Sequence, residues 1–109
     1  MVDNELDHHQ LDAVKAQVGV EMFPTLLTIF SQELQEYRTQ AINADIDEIA
    51  RICHAIKGSA SSFGAMQLSE FATQIDGLFK QNRYQELQQR VPQLIDLISK
   101  TELEIRKLL

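Results

Sequence analysis

Apolar residues recur every three to four positions through most of this chain, and that period admits helices and little else. From about Glu21 to Ala41, one face carries Phe23, Leu26, Leu27, Phe30, Leu34 and Tyr37, with Pro24 tolerated in the first turn. From Asp45 to about Ser62 the stripe is Ile46, Ile49, Cys53, Ile56 and Ala60. Asp45 caps that segment, and Glu48 three residues on completes the pattern of a capping box. Phe63-Gly64-Ala65 breaks the period. Met66 to Lys80 then brings Leu68, Phe71, Ala72, Ile75 and Leu78 or Phe79 inward. After a turn at Gln81-Asn82-Arg83, the last segment directs Tyr84, Leu87, Val91, Leu94, Ile95, Ile98 and Leu103 to the core, with a kink expected at Pro92. A shorter helix from near Gln10, with Leu11, Val14 and Val18 on one face, ends at Gly19. Four long amphipathic segments on short connections predict an all-α, antiparallel four-helix bundle, with the short additional N-terminal helix as a lid. No segment alternates as a strand would.

The 109 residues make one domain, 1–109, without internal repeat or linker. Residues 1–9 are polar and are expected to form a flexible N-terminus, with His8-His9 solvated within it. Those two histidines lack further ligands at metal-binding spacing, so no metal site is expected. With 44% hydrophobic and 24% charged residues, wholesale disorder is excluded. No apolar run is long enough for a membrane span, and no secretory signal opens the chain. The single cysteine, Cys53, has no internal partner, which fits a reducing, cytoplasmic setting.

The net charge is −6 and the pI about 4.9. No basic stripe is present, which argues against a nucleic-acid partner. The charge is uneven: residues 1–50 hold ten acids against Lys15 and Arg38, a net of −8, whereas residues 51–109 carry a net of +2. A basic group near the middle of the chain therefore stands out, and a phosphate is favoured there.

That middle is Ile52-Cys53-His54-Ala55-Ile56-Lys57-Gly58-Ser59-Ala60-Ser61-Ser62-Phe63-Gly64-Ala65. On a helix, His54 lies about 100° from Cys53, at the edge of the core face or on the solvent side. One turn away are Ala50 and Arg51 below and Lys57 and Gly58 above, and Ser61 lies two turns above. Glycine within a helix costs about 1 kcal/mol relative to alanine, so Gly58 asks for a reason. Close approach of another surface beside His54 is such a reason. A neighbouring cation disfavours imidazolium, leaves the ring nucleophilic, and offsets the charge of a phosphoryl group on it. Cys53 is a core residue rather than a thiol nucleophile, because it points away from His54. Met22 and Met66 read as core fillers, and Gly77 either marks a close helix crossing or is merely tolerated. With no glycine-rich phosphate loop, neither an ATP site nor kinase activity is expected.

This run resembles the signature of the histidine phosphotransfer (HPt) domain, in which His-x-x-Lys-Gly is followed by small residues and a glycine ten positions after the histidine. Here these are His54, Lys57, Gly58, Ser59 and Gly64. The resemblance extends over nearly the whole chain and is closest to free-standing phosphorelay proteins of the quorum-sensing LuxU type. It implies a helical bundle that accepts a phosphoryl group on His54 from the aspartyl phosphate of a receiver domain in a hybrid sensor kinase. The group then passes to the aspartate of a response regulator in two-component signalling. It implies Lys57 and Lys80 as phosphate-supporting residues and places Asp76 beside the imidazole. The family commonly has Gln there. Asp76 would repel a phosphoryl group, yet it could bond the free imidazole N–H and set its tautomer.

On this reading the chain is a stoichiometric carrier and not an enzyme, without a cofactor of its own; Mg²⁺ is expected on the receiver only. A monomer is expected, docking through an apolar patch near the exposed ends of the first three helices, ringed by acids. The alternatives are a helical adaptor that binds receivers without being phosphorylated, and the same domain excised from a hybrid or chemotaxis-type kinase.

Overall fold

The computed structural model describes residues 6–109. Five helices follow in order: α1 (His8–Val18), α2 (Phe23–Ile42), α3 (Ile46–Ser62), α4 (Met66–Lys80) and α5 (Tyr84–Lys107). Among the described residues there is no strand. The four long helices form the expected bundle, 43 × 26 × 22 Å, with α3 packed most extensively on α4 and α2 on α5. Its core is aliphatic: Leu27, Leu34, Ile49, Ile52, Ile56, Ile75, Leu87, Leu94, Ile98 and Ile105 are fully buried with Phe30.

Hydrogen-bonding chemistry explains where each helix stops. Asp45 caps α3 by accepting from the Glu48 amide at 2.8 Å. The other half of the expected capping box does not form. The Glu48 carboxylate lies instead 3.7 Å from Arg51. At the far end of α3, the Ala65 amide donates to the Ala60 carbonyl and the Gly64 amide to the Ser61 carbonyl, with Gly64 left-handed at φ 77°. This is the pattern by which a glycine closes a helix. The turn after α4 repeats it with Asn82 at φ 60°: the Arg83 amide donates to Leu78 and the Asn82 amide to Phe79. Asparagine tolerates that conformation better than most residues. α5 continues unbroken through Pro92, which lies on the exposed side.

Several sequence expectations are corrected. The leading segment is attached from Leu6 onward rather than forming a free tail: Leu6 is buried, and the Asp7 amide donates to the Gly64 carbonyl at 2.8 Å. The Asp7 carboxylate accepts from the amides of His9 and Gln10, so α1 begins two residues earlier than periodicity implied. His8 and His9 are exposed in its first turn; residues 1–5 lie outside the described residues. Met22 and Met66 are exposed rather than core fillers. Leu103 also faces outward, and Glu102 takes the inward position. Tyr84 is exposed, with its hydroxyl donating to the Asn82 side chain at 2.7 Å. Gly77 has nothing within 4 Å of where a Cβ would stand, so it marks no close crossing.

Gly64 carries two constraints at once. Its φ suits glycine, and a Cβ there would lie 2.6 Å from the Asp7 carbonyl oxygen. Backbone atoms cannot swing aside as a side chain can. Gly64→Ala is therefore expected to lower stability by about 1–3 kcal/mol. The check is a urea midpoint that falls at unchanged slope.

Candidate functional site

The site lies along α3 and α4, and the small and apolar residues between these helices fix its geometry. Ile49, Cys53, Ile56 and Ala60 of α3 are buried with Leu68, Ala72 and Ile75 of α4. Ser69 adds a polar tie, its hydroxyl donating to the Lys57 carbonyl at 2.8 Å. That places the one buried carboxylate of α4, Asp76, opposite the segment holding His54 and Lys57. Ser69 was not singled out from the sequence. Its signal was there: Ser69 and Asp76, seven residues apart, share a helix face with apolar neighbours.

His54 presents an imidazole whose side chain is 69% exposed. Its Nδ1 lies 3.9 Å from Asp76 Oδ1, which is within ion-pairing range but too long for a hydrogen bond. Of the two ring nitrogens, Nδ1 is the one paired with Asp76, which leaves Nε2 as the other. Asp76 Oδ2 accepts from Lys57 Nζ at 2.8 Å and lies 3.0 Å from Lys80 Nζ, so one oxygen holds both ammonium groups. The Asp76 side chain is 9% exposed. Its carboxyl is held below its usual range first by the hydrogen bond from Lys57, against the opposing effect of burial, and then by the hydrogen bond from Lys80.

The residues expected at the site contribute in different ways. His54, Lys57, Asp76 and Lys80 come together as one charged cluster. Gly58 flanks it with open space, since nothing stands within 4 Å of a Cβ built there. Among the described residues that position is open, so Gly58 leaves room for a surface from outside. Ala50 and Ser61 contribute differently. Ala50 is buried on α3 itself, one turn before His54, whereas Ser61 is half-buried near the end of α3, where its carbonyl accepts from Gly64. Gly64 breaks the helix as expected. The Lys57 side chain is only 29% exposed, and its ammonium is committed to Asp76.

Cys53 is fully buried, and burial, followed by the charge of Asp76, pushes its thiol up to about 12. It is inert as a nucleophile at neutral pH. Among the described residues, no group of three or more His, Cys, Asp or Glu side chains could hold a metal ion. Nor is any helix of those residues long and apolar enough to cross a membrane.

A second buried carboxylate, Glu102, was not anticipated. It receives two hydrogen bonds from Arg106, at 3.0 and 2.6 Å, with others from Ser31 at 2.8 Å and Gln35 at 3.0 Å. Its carboxyl is lowered chiefly by Arg106, against burial, then by Ser31 and Gln35. It joins α2 to α5, the pair of helices that does not carry the imidazole.

The sign of the pH linkage follows from these two carboxylates. A group whose folded pKa is depressed contributes stability above its unfolded pKa and loses it as pH falls through the folded value. The protein is expected to lose stability progressively below about pH 5. Asp76→Asn should flatten that slope. Urea midpoints measured at several acidic pH values in both proteins check this, and parallel slopes would remove Asp76 from the linkage.

Known proteins were compared with this arrangement. The Hpt domain family model matches residues 25–104, a span that takes in all of α3 and α4. The chain is 27% identical over 100 residues to the phosphorelay protein LuxU of Vibrio cholerae, covering 88% of each. It is 32% identical over 101 residues to LuxU of Vibrio vulnificus, covering 89% of this chain and 88% of that protein. The LuxU protein of Vibrio harveyi matches at 32% over 97 residues, 85% of both. Among solved structures, the fold is similar to the histidine-containing phosphotransfer protein B of Pseudomonas aeruginosa, with a TM-score of 0.76 at 22% identity over 94% of this chain and 89% of that one.

Proposed function

The chain belongs to the Hpt domain family, and from that premise we propose that it is a phosphotransfer intermediate of two-component signalling whose phosphoryl-accepting residue is His54. The observation that carries this is an exposed imidazole on a fully formed helix, flanked by the open side of Gly58 and backed by two ammonium groups. A phosphoryl carrier needs each part. The nucleophile must be reachable by the active site of another protein, so it stands on a helix and not in a cleft. The attacking atom must be an unprotonated ring nitrogen, and Nε2 is the one not paired with Asp76.

In the proposed reaction, Nε2 attacks the phosphorus of an aspartyl phosphate on a receiver domain. The Nε2–P bond forms as the P–O bond to the donor carboxylate breaks, and the electron pair leaves with that carboxylate. Positioning and charge balance dominate such transfers. α3 holds the nucleophile in place, and Lys57 and Lys80 offset the incoming charge. The receiver supplies its own Mg²⁺. The reverse step delivers the group to a second receiver, so the chain turns over no substrate of its own and uses no ATP.

Exposed apolar side chains give the docking face: Val20, Met22 and Ile29, with the half-buried Phe23 and Leu26. Met22, the residue that precedes α2, and Ile29 within it are seven residues apart. The exposed acids Glu21 and Glu33 stand among them. A cytoplasmic setting accords with this role and with the free thiol of Cys53.

Incubation with a labelled phospho-receiver is expected to place an acid-labile, alkali-stable label on the wild type and none on His54→Gln. Label of equal intensity on His54→Gln would sink the assignment. At Gly58, alanine is expected to raise stability by up to about 1 kcal/mol, since it gains helix propensity and meets nothing. Gly58→Leu should fold as well yet slow acceptance by about tenfold or more, because it narrows the approach on which in-line geometry depends. Unimpaired transfer by a folded Gly58→Leu protein would show that receivers do not use that flank.

A further inference from the structure

Asp76 lies where its charge opposes the event proposed for His54. Its Oδ1 faces the imidazole, while its Oδ2 holds both nearby ammonium groups, Lys57 at 2.8 Å and Lys80 at 3.0 Å. Together the two lysines and Asp76 amount to a single net positive charge. A phosphoryl group on the ring brings about two negative charges. It arrives where the cations are already spoken for.

We propose that Asp76 is a positioning residue that sets how tightly this carrier holds its phosphoryl group: on phosphorylation of His54, Lys57 and Lys80 exchange the Asp76 carboxylate for the phosphoryl oxygens. This rests on the assignment of His54 made above. The stems permit the exchange. Lys57 is one turn from His54 on α3, Lys80 one turn from Asp76 on α4, and an ammonium is a point charge on a flexible four-carbon chain. Leaving Asp76 is unfavourable because its carboxylate is nearly buried and, among the described residues, has no other hydrogen-bond donor than these lysines. That penalty is charged against the phosphorylated state. The carrier therefore holds the group less tightly than the same two lysines would if Asp76 were neutral, and the phosphoryl passes on more readily.

Potassium phosphoramidate tests this without any partner protein. Nε2 takes the phosphoryl group as the P–N bond of the reagent breaks and ammonia leaves, so at fixed reagent and ammonium concentrations the phosphorylated fraction reports an equilibrium. Asp76→Asn is expected to raise that equilibrium constant about five- to tenfold, the scale of one partly exposed charge interaction. Asp76→Glu, which restores the carboxylate, should return it toward wild type. A residue that served only to hold the fold would move neither.

A second readout needs no variant at Asp76: the Nζ resonances of Lys57 and Lys80 should shift when the wild type is phosphorylated. An Asp76→Asn constant equal to or below that of wild type, or lysine resonances unmoved by phosphorylation, would overturn the proposal while leaving His54 as the acceptor. Phosphorylation of His54→Gln to the wild-type level, or none of the wild type, would instead overturn the assignment of His54.

Discussion

Burying a carboxylate with its charge intact requires cations held within reach, and at Asp76 that requirement ties α3 to α4. Lys57 comes from one helix and Lys80 from the other, and both end on the same oxygen. The helices must keep one register for this to hold. The turn at Phe63–Ala65 sets that register through the left-handed Gly64, and the Ser69 hydroxyl fixes it again on the Lys57 carbonyl. A slip of α4 by one residue would turn Asp76 by about 100° and leave its charge without partners. The same register puts Asp76 beside His54, so the electrostatics of the imidazole depend on how the two helices pack.

The role proposed for His54 needs a rigid platform and an accessible side chain together, and the residues of α3 divide that work by helix face. Ile49, Ile52, Cys53 and Ile56 are fully buried, which fixes the backbone under His54. The opposite face carries His54, Ala55 and Gly58 into solvent. Because the rigidity comes from the buried face, the exposed one can be stripped of bulk without loss of order. Gly58 lowers helix propensity, and the aliphatic core beneath it offsets that loss.

The bundle was legible because its core repeats at the helical period, and His54, Lys57, Gly58 and Gly64 were legible because their spacing lies within a single turn-linked stretch. Asp76 and Lys80 were not accessible in that way. Their meeting with His54 is a tertiary event, and periodicity places residues on a face without saying which face meets which; only the likeness to a known family placed them. The errors share a cause as well. Leu103 was turned inward because apolar residues were assumed to define the buried stripe, yet the stripe of α5 runs Leu94, Ile98, Thr101, Glu102 and Ile105. A paired carboxylate can occupy a core position that polarity alone would exclude. Met22 and Met66 were misplaced by the same assumption. The attachment of Leu6 and Asp7 was missed because it depends on the backbone of Gly64, whose partner is 57 residues away in the chain.

The two buried carboxylates show how similar burial can serve different ends. Glu102 is gripped by the planar fork of Arg106 and by two neutral donors, Ser31 and Gln35. Bidentate guanidinium pairing is directional, and loss of one contact leaves others in place. Such an arrangement resists rearrangement and suits a tie between α2 and α5, away from the imidazole. Asp76 is held by two ammonium groups on flexible stems, one of them mostly solvated, and among the described residues by no neutral donor. Ammonium pairing has little directional preference, so those cations can be redirected by a stronger anion arriving nearby. Arginine at 57 or 80 would grip the carboxylate more firmly and surrender it less easily. The choice of lysine at both positions therefore matches the proposed exchange, in which both cations are redirected when a phosphoryl group arrives on His54.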